Sequence, residues 1–406
     1  MNRRQRWRAL RRASESAGLA LNPTRLRLLH VLPTYFPATR YGGPIHSVHG
    51  LCRALVRLGH EVTVFSTSVD GAGRLDVAEN CPVDVDGVRV FYFRSHFDRL
   101  YWAPAMRREL AQAIGNTDLV HLHSVFLSPT SVVAAAARRA HVPYVLSPRG
   151  MLVPELISAR SGWIKRAWIA AFERRNLRGA TCIHVTSDTE AADLQRCGLA
   201  LAPVAMVPNG VDMPDRRDRR AKLGSVLYLG RLSWKKNLDA LIDAVSRMPG
   251  VTLTLAGPDD EKISAKLLAQ AQAAGCGDRV RWVGAVLGRE KEELFATHAC
   301  LVLPSINENF GNSVLEALAW GCPVVVTPGV GARSVVEQSG AGLVAVDATP
   351  AAIAAAIGEL LHDPDAAEHR GELGRRYARD HVSWDAVARR MTRLYESLNM
   401  NAAVDA

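Results

Sequence analysis

Short apolar runs rich in β-forming residues alternate with amphipathic helical patterns along almost the whole chain from residue 26 onward. Such alternation predicts βαβ units, and these units build parallel sheets because each helical crossover returns the chain to the same end of the sheet. The predicted strands fall into two sets, one in each half of the chain. The first set comprises residues 26–32, 61–66, 88–93, 119–123, 144–147, 182–186 and 204–207, and the second comprises 226–229, 252–256, 280–283, 300–304 and 324–327.

A chain of 406 residues exceeds what one hydrophobic core organises, so the two strand sets predict two domains. A basic segment with Pro214 and little apolar content separates them and is typical of a linker. We therefore expect an α/β fold of two facing Rossmann-like domains with an interdomain cleft. The predicted parts are a basic tail over 1–25, a first domain over 26–211, a linker over 212–224, a second domain over 225–380, and a C-terminal helix and tail over 381–406 that could pack on either domain.

Composition and charge indicate in which compartment the protein functions and which partners it can have. No apolar run approaches the ~18 residues that span a bilayer, and seven scattered cysteines without a CxxC pair indicate reduced thiols in a cytoplasmic protein. Arginines at 3, 4, 6, 8, 11 and 12 make the start of the chain basic, which predicts either a disordered tail or contact with an anionic membrane. Residues 160–178 combine basic residues with Trp163, Trp168 and Phe172, so they predict either a membrane-surface helix or a helix packed in the domain. Aromatic residues are only 6%, and nucleic acid is not an expected partner.

Two glutamates eight residues apart mark the clearest candidate site. Glu308 lies in a loop after an apolar strand, and Glu316 is predicted in the first turn of the following helix, which Gly311 opens. A helix N-terminus attracts phosphate, and carboxylates accept hydrogen bonds from sugar hydroxyls, so the segment predicts a nucleotide-sugar site. Ser313 and Glu316 also fit a capping box, which is a purely structural role. No such role is evident for Glu308.

Two further loops follow predicted strands. Arg231 and Lys236 could neutralise a departing diphosphate without a metal, or belong to a solvated basic loop, with Lys235 turned to solvent. Gly42 and Gly43 lead from the first strand into a helix, where glycine allows either a close approach to a ligand or simply a turn.

His121 and His123 alternate along one strand, so both side chains point to the same side of the sheet. They are either core residues or, for His123 at the strand end, a contact to sugar or acceptor. Asp84 and Asp86 form a DxD, but Gly87 follows at once, which predicts a turn rather than a metal site. No metal or cofactor is expected. The chain has no GxSxG at a strand-to-helix turn, which argues against a serine hydrolase.

Several of these segments together resemble the retaining glycosyltransferases of family 4, which have the GT-B architecture. The shared marks are the Gly42-Gly43 loop, Gly-His-Glu-Val-Thr-Val from Gly59, Val-Pro-Asn-Gly-Val-Asp over 207–212, Gly230-Arg231 with Lys236, and the paired glutamates. The resemblance covers residues 26–398. The chain departs from the common pattern with Asn-Glu-Asn-Phe-Gly over 307–311, where Ser-Glu-Gly-Phe-Gly is commoner, and with Ser-Pro-Arg-Gly over 147–150, where many members carry a histidine.

The resemblance implies a nucleoside-diphosphate sugar as donor and a polyprenyl-linked, lipid-linked or saccharide acceptor. It implies that Arg231 and Lys236 bind the donor diphosphate, that Glu316 binds the ribose, and that Glu308 and His123 lie beside the transferred sugar. The backbone of Phe310, Gly311, Asn312 and Ser313 would add N–H donors, Gly42 and Gly43 would lie near the diphosphate or acceptor, and Arg149 and Asn209 would lie on the acceptor side. A nucleotide-sugar epimerase of the same shape and a noncatalytic sugar-binding module stay open as alternatives.

Overall fold

The computed structural model describes residues 25–38, 42–159, 162–215 and 218–405. The chain divides into two compact units, the first formed by Met1–Gly210 together with Trp384–Ala406 and the second by Val211–Ser383. The predicted basic tail, including its six arginines, lies outside the described residues apart from Arg25.

The first unit is built on an eight-stranded sheet. Its strands follow the order β10-β9-β8-β7-β1-β2-β6-β5, and every neighbouring pair is parallel except β5 and β6. A separate two-stranded hairpin is formed by β3 and β4. The strands are β1 Arg27–Thr34, β2 Glu61–Thr67, β3 Val69–Asp70, β4 Gly73–Arg74, β5 Pro82–Val85, β6 Val88–Phe93, β7 Leu119–His123, β8 Tyr144–Ser147, β9 Cys182–Val185 and β10 Val204–Met206.

Helices cover both faces of this sheet. Leu28 and Leu29 are neighbours on β1 but belong to separate apolar clusters, because successive side chains of a strand point to opposite faces. The helices are α1 Gly43–Arg57, α2 Pro104–Gly115, α3 Ser128–Arg139, α4 Pro154–Ala159, α5 Gly162–Trp168, α6 Arg174–Gly179 and α7 Asp188–Arg196, and a π-helical turn at Ile169–Glu173 joins α5 to α6.

The second unit holds a six-stranded, fully parallel sheet in the order β13-β12-β11-β14-β15-β16. Its core includes Tyr228, Leu301 and Val325, which are almost completely buried. The strands are β11 Lys222–Leu229, β12 Thr252–Ala256, β13 Val280–Trp282, β14 His298–Leu303, β15 Val324–Val326 and β16 Gly342–Val344. The helices are α8 Leu238–Ser246, α9 Ser264–Ala273, α10 Gly288–Thr297, α11 Asn312–Trp320, α12 Arg333–Ser339, α13 Pro350–His362 and α14 Pro364–Tyr377.

The predicted strands of both sets are present, with ends that differ by up to four residues. The sequence patterns missed β3, β4, β5 and β16, which are only two to four residues long. The end of the predicted linker is wrong, because β11 already begins at Lys222, whose backbone is in register with that of His298 on β14. The turn predicted at the DxD is confirmed: Asp84 accepts a hydrogen bond from the Gly87 backbone N–H at 3.1 Å between two antiparallel strands.

The last helix, α15 (Trp384–Asp405), returns to the first unit after the chain has built the second. Trp384 lies against Gly50 of α1 and against Gly210, where an added Cβ would come within 2.3 Å of the indole ring. A larger residue at either position would therefore overlap the Trp384 side chain. The sequence left open which domain this helix packs on, and the structure shows that it packs on the first unit.

Each sheet reverses its strand order once near its centre. In the first unit the chain winds outward from β1 through β2 and then restarts with β7 on the other side of β1. In the second unit it winds outward from β11 and restarts with β14. The loops that leave the two central strands at such a point diverge and leave a crevice at the carboxyl ends of the strands, where ligands bind in open α/β sheets.

Within these described ranges, no helix combines the length and the apolar content that crossing a bilayer requires.

We expect Gly50→Ala to destabilise the first unit by roughly 1–3 kcal/mol, because the new methyl group would overlap the Trp384 ring. Gly115→Ala is the matched control, since an added Cβ there meets nothing within 4 Å. We expect the control to be neutral or stabilising, through the lower backbone entropy of the unfolded chain. Urea unfolding followed by circular dichroism measures both, and equal midpoints for the two variants would contradict this packing.

Candidate functional site

Three loops meet at the carboxyl edge of the second sheet. They follow β11, β14 and β15, and backbone hydrogen bonds join each to the next. The N–H of Ile306 donates to Lys235 at 2.9 Å, the N–H of Glu308 donates to Gly329 at 2.9 Å, and Ala332 donates to Phe310 at 2.7 Å. The loop after β14 is therefore held from both sides at the point where the strand order reverses.

Lys236 and Glu308 form an ion pair in this crevice. Lys236 ends a short 3-10 turn after β11, and Glu308 lies in the middle of the loop after β14. Both side chains are about four-fifths buried, with exposures of 18% and 20%. The contact brings together two residues that the sequence singled out separately, and it supplies the structural role that the sequence did not reveal for Glu308.

Arg231 occupies the same loop as Lys236 but is more exposed. Its Nε lies 3.4 Å from Asp260, and its backbone carbonyl accepts a hydrogen bond from the buried Tyr228 hydroxyl at 2.8 Å. Burial raises the pKa of the Tyr228 phenol well above its usual value, with a smaller contribution from the Glu308 carboxylate. Tyr228 therefore stays protonated and fixes the start of the loop.

Helix α11 begins beside the ion pair. Gly311 precedes it with a left-handed φ of 97°, and a Cβ at this position would come within 2.8 Å of the Leu303 side chain. Phe310 turns its ring into the core, with 3% exposure, and so leaves only its backbone to face a ligand. Because the N-terminus of a helix carries a partial positive charge, the start of α11 favours an anion near Gly311 and Asn312.

The predicted capping box is wrong. Gly311, not Ser313, is the N-cap residue, and among the described residues no side chain caps the helix. Because the left-handed glycine ends the loop, α11 starts at Asn312 and Ser313 already lies inside it. Glu316 is consequently beyond the first turn, where its carboxylate accepts from Lys291 at 3.1 Å. It is about one-third exposed and open to a second hydrogen-bonding partner.

In the first unit, Gly42 and Gly43 stand at the start of α1. Gly42 has a left-handed φ of 71°, and the Ser47 hydroxyl donates to the Gly43 carbonyl at 2.8 Å. Residues 39–41 of the same loop lie outside the described residues. Glycine is required at position 42 for the turn. This is consistent both with a purely structural turn and with a loop that approaches a ligand closely.

One cluster at the carboxyl edge of the first sheet contains three residues that the family resemblance implies to lie near the sugar and acceptor: His123, Arg149 and Asn209. Arg149 donates to the Asn209 side-chain oxygen at 3.0 Å and lies 3.2 Å from Nδ1 of His123. His123 is 1% exposed, and its Nε2 lies 3.1 Å from Nδ1 of His30 on the neighbouring strand. Direct contact between His123 and a sugar would require Arg149 to move.

Arg149, His123 and His30 form a row of hydrogen bonds. The Arg149 guanidinium fixes the tautomers of the two histidines, because arginine only donates. Nδ1 of His123 must accept from Arg149, so its hydrogen is on Nε2 and points to Nδ1 of His30. His30 then carries its hydrogen on Nε2, a buried atom that has no partner among the described residues. The row from Arg149 therefore ends in an unmet donor.

In a second row of hydrogen bonds, every donor and acceptor has a partner. His184 lies 2.9 Å from the Val207 carbonyl through Nε2, which must be the protonated nitrogen because a carbonyl only accepts. The remaining directions follow: Ser147 donates to His184 at 2.8 Å, His121 donates to Ser147 at 2.7 Å, and Tyr395 of α15 donates to His121 at 2.6 Å. This row links three neighbouring strands to the C-terminal helix.

Burial keeps these imidazoles neutral. It lowers the pKa of His30 and His184 to about 3, with the Arg149 charge as the next cause, and it lowers the pKa of His121 and His123 well below the usual value. The nitrogens of His30, His121 and His123 lie within 4.8 Å of one another, a spacing that can suit a metal ion. A dication there would face the Arg149 guanidinium and would have to break the hydrogen bonds described above, so electrostatics disfavour it.

Sequence reasoning missed His30, Ser147, His184 and Tyr395 as members of this cluster. His30 faces His121 in the register of β1 and β7, and this pairing joins strands about 90 residues apart in the chain. Only the position of His30 near the end of a predicted strand could have indicated it.

The chain matches two protein-family descriptions. Residues 42–210 match the glycosyl transferase 4-like domain, and residues 214–377 match the glycosyl transferases group 1. The chain is 28% identical over 400 residues to a glycogen synthase of Mycobacterium tuberculosis, covering 91% of this chain and 94% of that one. It is also 28% identical to a D-inositol 3-phosphate glycosyltransferase of Xylanimonas cellulosilytica, covering 90% and 94% of the two chains.

Solved structures with the same fold include sucrose-phosphate synthase from Thermosynechococcus elongatus. It superposes with a TM-score of 0.73 at 22% identity and covers 93% of this chain and 100% of that one. HepE of Anabaena, solved with UDP and glucose, superposes with a TM-score of 0.70 at 18% identity and covers 92% and 100%. At these identities the likeness concerns the fold.

We expect acid to destabilise the protein through the buried histidines. The unfolded chain takes up protons near pH 6.5, whereas folded His30 and His184 do so only near pH 3. Their stabilising effect is complete above pH 6.5 and is lost as the pH falls from there towards 3, at roughly 2 kcal/mol per histidine by pH 5. Thermal unfolding between pH 7.5 and 5 measures this loss.

The His30→Gln variant should show a smaller drop in melting temperature between pH 7.5 and 5 than the parent. His141→Asn is the control, because His141 is exposed and asparagine tolerates its left-handed φ of 56°. An unchanged pH dependence in His30→Gln would show that this imidazole is not held neutral by the fold.

Proposed function

The chain belongs to the glycosyltransferases of GT-B architecture, and on that premise we propose that it transfers a sugar from a nucleoside-diphosphate donor to an acceptor hydroxyl with retention of configuration. The observation that carries the proposal is the Lys236–Glu308 pair. It lies where the strand order of the second sheet reverses and beside the start of α11. A cation, a carboxylate and a helix N-terminus at one point suit a sugar diphosphate, which presents hydroxyls and negative charge together.

The donor would bind mainly to the second unit. Lys236 and Arg231 would neutralise the diphosphate, and the start of α11 would add backbone donors and its dipole. Glu316 would accept from the ribose hydroxyls, and Glu308 would accept from hydroxyls of the transferred sugar. HepE of Anabaena, which shares the fold, has been solved with UDP and with UDP-glucose, which supports a nucleotide-sugar donor for this chain as well.

Departure of the diphosphate is the step that these charges would favour. Fixed cations stabilise the charge that develops on the leaving group, which removes the need for a metal ion. The sugar becomes oxocarbenium-like, and the acceptor hydroxyl attacks it on the face that the diphosphate leaves. Among the described residues none is placed as a covalent nucleophile, so this front-face route is the form of retention that we propose.

We place the reaction in the assembly of a surface polysaccharide or glycolipid, with a polyprenyl-linked, lipid-linked or saccharide acceptor. A nucleotide-sugar epimerase would instead convert the donor in the absence of an acceptor. Incubation with donor alone distinguishes the two, since only an epimerase would yield a new sugar nucleotide. The protein would work in the cytoplasm and make peripheral contact with the membrane.

Three exposed side chains support that peripheral contact. Trp163, Ile164 and Phe172 are exposed by 75%, 44% and 43% on the run formed by α5, the π-helical turn and α6. Glu173 joins the same run to the rest of the unit, because its buried carboxylate accepts from the Phe126 backbone at 2.7 Å; Trp168, within the run, also donates to it at 3.0 Å. A fixed helix with outward aromatic and basic residues is suited to the surface of an anionic membrane.

We expect Lys236→Ala and Glu308→Ala each to lower kcat/KM for sugar transfer by about 100-fold or more, because each removes a charge that acts on the transition state. Lys235→Ala is the matched control, since the Lys235 side chain extends over the Trp234 ring and only its backbone joins the loop network. Transfer is measured after a panel of UDP-, GDP- and ADP-sugars has identified the donor. If both alanine variants turned over at the rate of the parent, the site would be misassigned.

We expect deletion of residues 1–22, and separately Trp163→Ser, to weaken binding to vesicles that contain anionic lipid. The first change removes positive charge, and the second removes an exposed indole. Vesicle flotation at low and high salt measures both effects, with zwitterionic vesicles as the control. Equal binding of the parent and both variants would exclude this surface as the membrane contact.

A further inference from the structure

Arg149 is a half-buried residue that carries a charge without a matching carboxylate. It follows β8 and reaches inward to Asn209 and His123, and among the residues that the structure describes no aspartate or glutamate forms an ion pair with it. The acid that acts on it from a distance is Glu190. The carboxylate of Glu190 is already held by the N–H groups of Gly150 at 2.7 Å and Thr186 at 2.8 Å, so it cannot turn to pair with Arg149.

A purely structural role explains this arrangement poorly. Taking a charge partly out of water without a counter-charge is unfavourable, and the neutral groups around Arg149 offset only part of that cost. The residue also has a left-handed φ of 57°, which costs on the order of 1 kcal/mol in a residue other than glycine. Burial lowers the pKa of the guanidinium, yet arginine stays charged at any physiological pH.

The unmet hydrogen-bonding groups of the cluster are both donors. Among the described residues, the buried Nε of Arg149 has no partner, and neither has Nε2 of His30, which carries a hydrogen once Arg149 has fixed the tautomers. Nε2 of His30 lies at the far end of the row, so the group that lacks both a negative charge and a hydrogen-bond acceptor beside it is the Arg149 guanidinium, and an oxyanion supplies both. Its position after β8 and beside the end of β7 is the edge of the sheet at which ligands bind.

We propose that Arg149 binds an anionic group of the substrate, a carboxylate or a phosphate, through its guanidinium fork. This inference rests on the proposed glycosyl transfer and narrows its substrate class. The anion has two possible sources: a carboxylate on the transferred sugar, as in a uronic acid, or a phosphate or carboxylate on the acceptor. In either case the group replaces solvent around the guanidinium and provides the counter-charge that the fold lacks.

The test compares the full-length parent with Arg149→Gln, which removes the charge, and Arg149→Lys, which keeps it. Arg139→Gln is the control for loss of an exposed arginine in the same unit. One arm measures the dissociation constants of UDP-glucuronic acid and UDP-glucose by calorimetry. The other arm measures the shift in melting temperature caused by inorganic phosphate and by glycerol 3-phosphate. Circular dichroism confirms that each variant is folded.

If the anion belongs to the sugar, the parent and Arg139→Gln should bind UDP-glucuronic acid about tenfold more tightly than UDP-glucose, and Arg149→Gln should lose the difference. If it belongs to the acceptor, the two nucleotide sugars should bind alike, and phosphate compounds should stabilise the parent more than Arg149→Gln, which keeps only the diphosphate site of the second unit. Arg149→Lys should retain part of either effect.

The inference is overturned if neither the preference for glucuronic acid nor the phosphate stabilisation differs between the parent and Arg149→Gln. Failure of the proposed function gives a different result: loss of Lys236 and Glu308 would leave transfer unchanged, whatever the residue at position 149. The phosphate arm needs no nucleotide, so it decides the case even where a UDP-sugar does not bind.

Discussion

The reversal of strand order within each parallel sheet is the constraint on which both candidate sites depend. Parallel strands end at the same edge, so the residues that follow β11 and β14 become neighbours although about 70 residues separate them in the chain. Lys236 and Glu308 meet for this reason, and His30 meets His123 across β1 and β7 in the same way. The second sheet has charged residues at this point, whereas the first has neutral imidazoles beside Arg149.

The polar cluster of the first unit also ties the chain ends together. Tyr395 belongs to α15, which follows the entire second unit in the sequence, and its hydroxyl closes the row that runs through His121, Ser147 and His184. The same helix places Trp384 against Gly50 and supplies apolar side chains to one face of the sheet. The first unit is thus completed only by the last segment of the chain, so its stability depends on residues that the sequence alone did not assign to either domain.

The sequence predicted the parts of the structure that local pattern determines. Strand positions followed from apolar runs, and the loops with Arg231, Lys236 and Glu308 were identified because they follow such runs. Local pattern also misled, since Ser313 and Glu316 have the spacing of a capping box, but the left-handed Gly311 is itself the N-cap. Contacts between distant segments were beyond this reasoning. The Lys236–Glu308 pair and the role of Lys291 depend on the order in which strands assemble, and no periodicity in the sequence encodes that order.

The charged residues of the candidate site in the second unit are already paired with one another. In the second unit, Lys236 and Glu316 are already paired with Glu308 and Lys291, so a donor has to share or replace contacts that the protein satisfies by itself. In the proposed reaction a diphosphate would do so because its charge exceeds that of one carboxylate and because the dipole of α11 adds to the lysine. Glu308, released from Lys236 by this exchange, would then be available to accept from a sugar hydroxyl. Occupation by the diphosphate would in this way prepare the carboxylate for the sugar, so that one ion pair positions both halves of the donor.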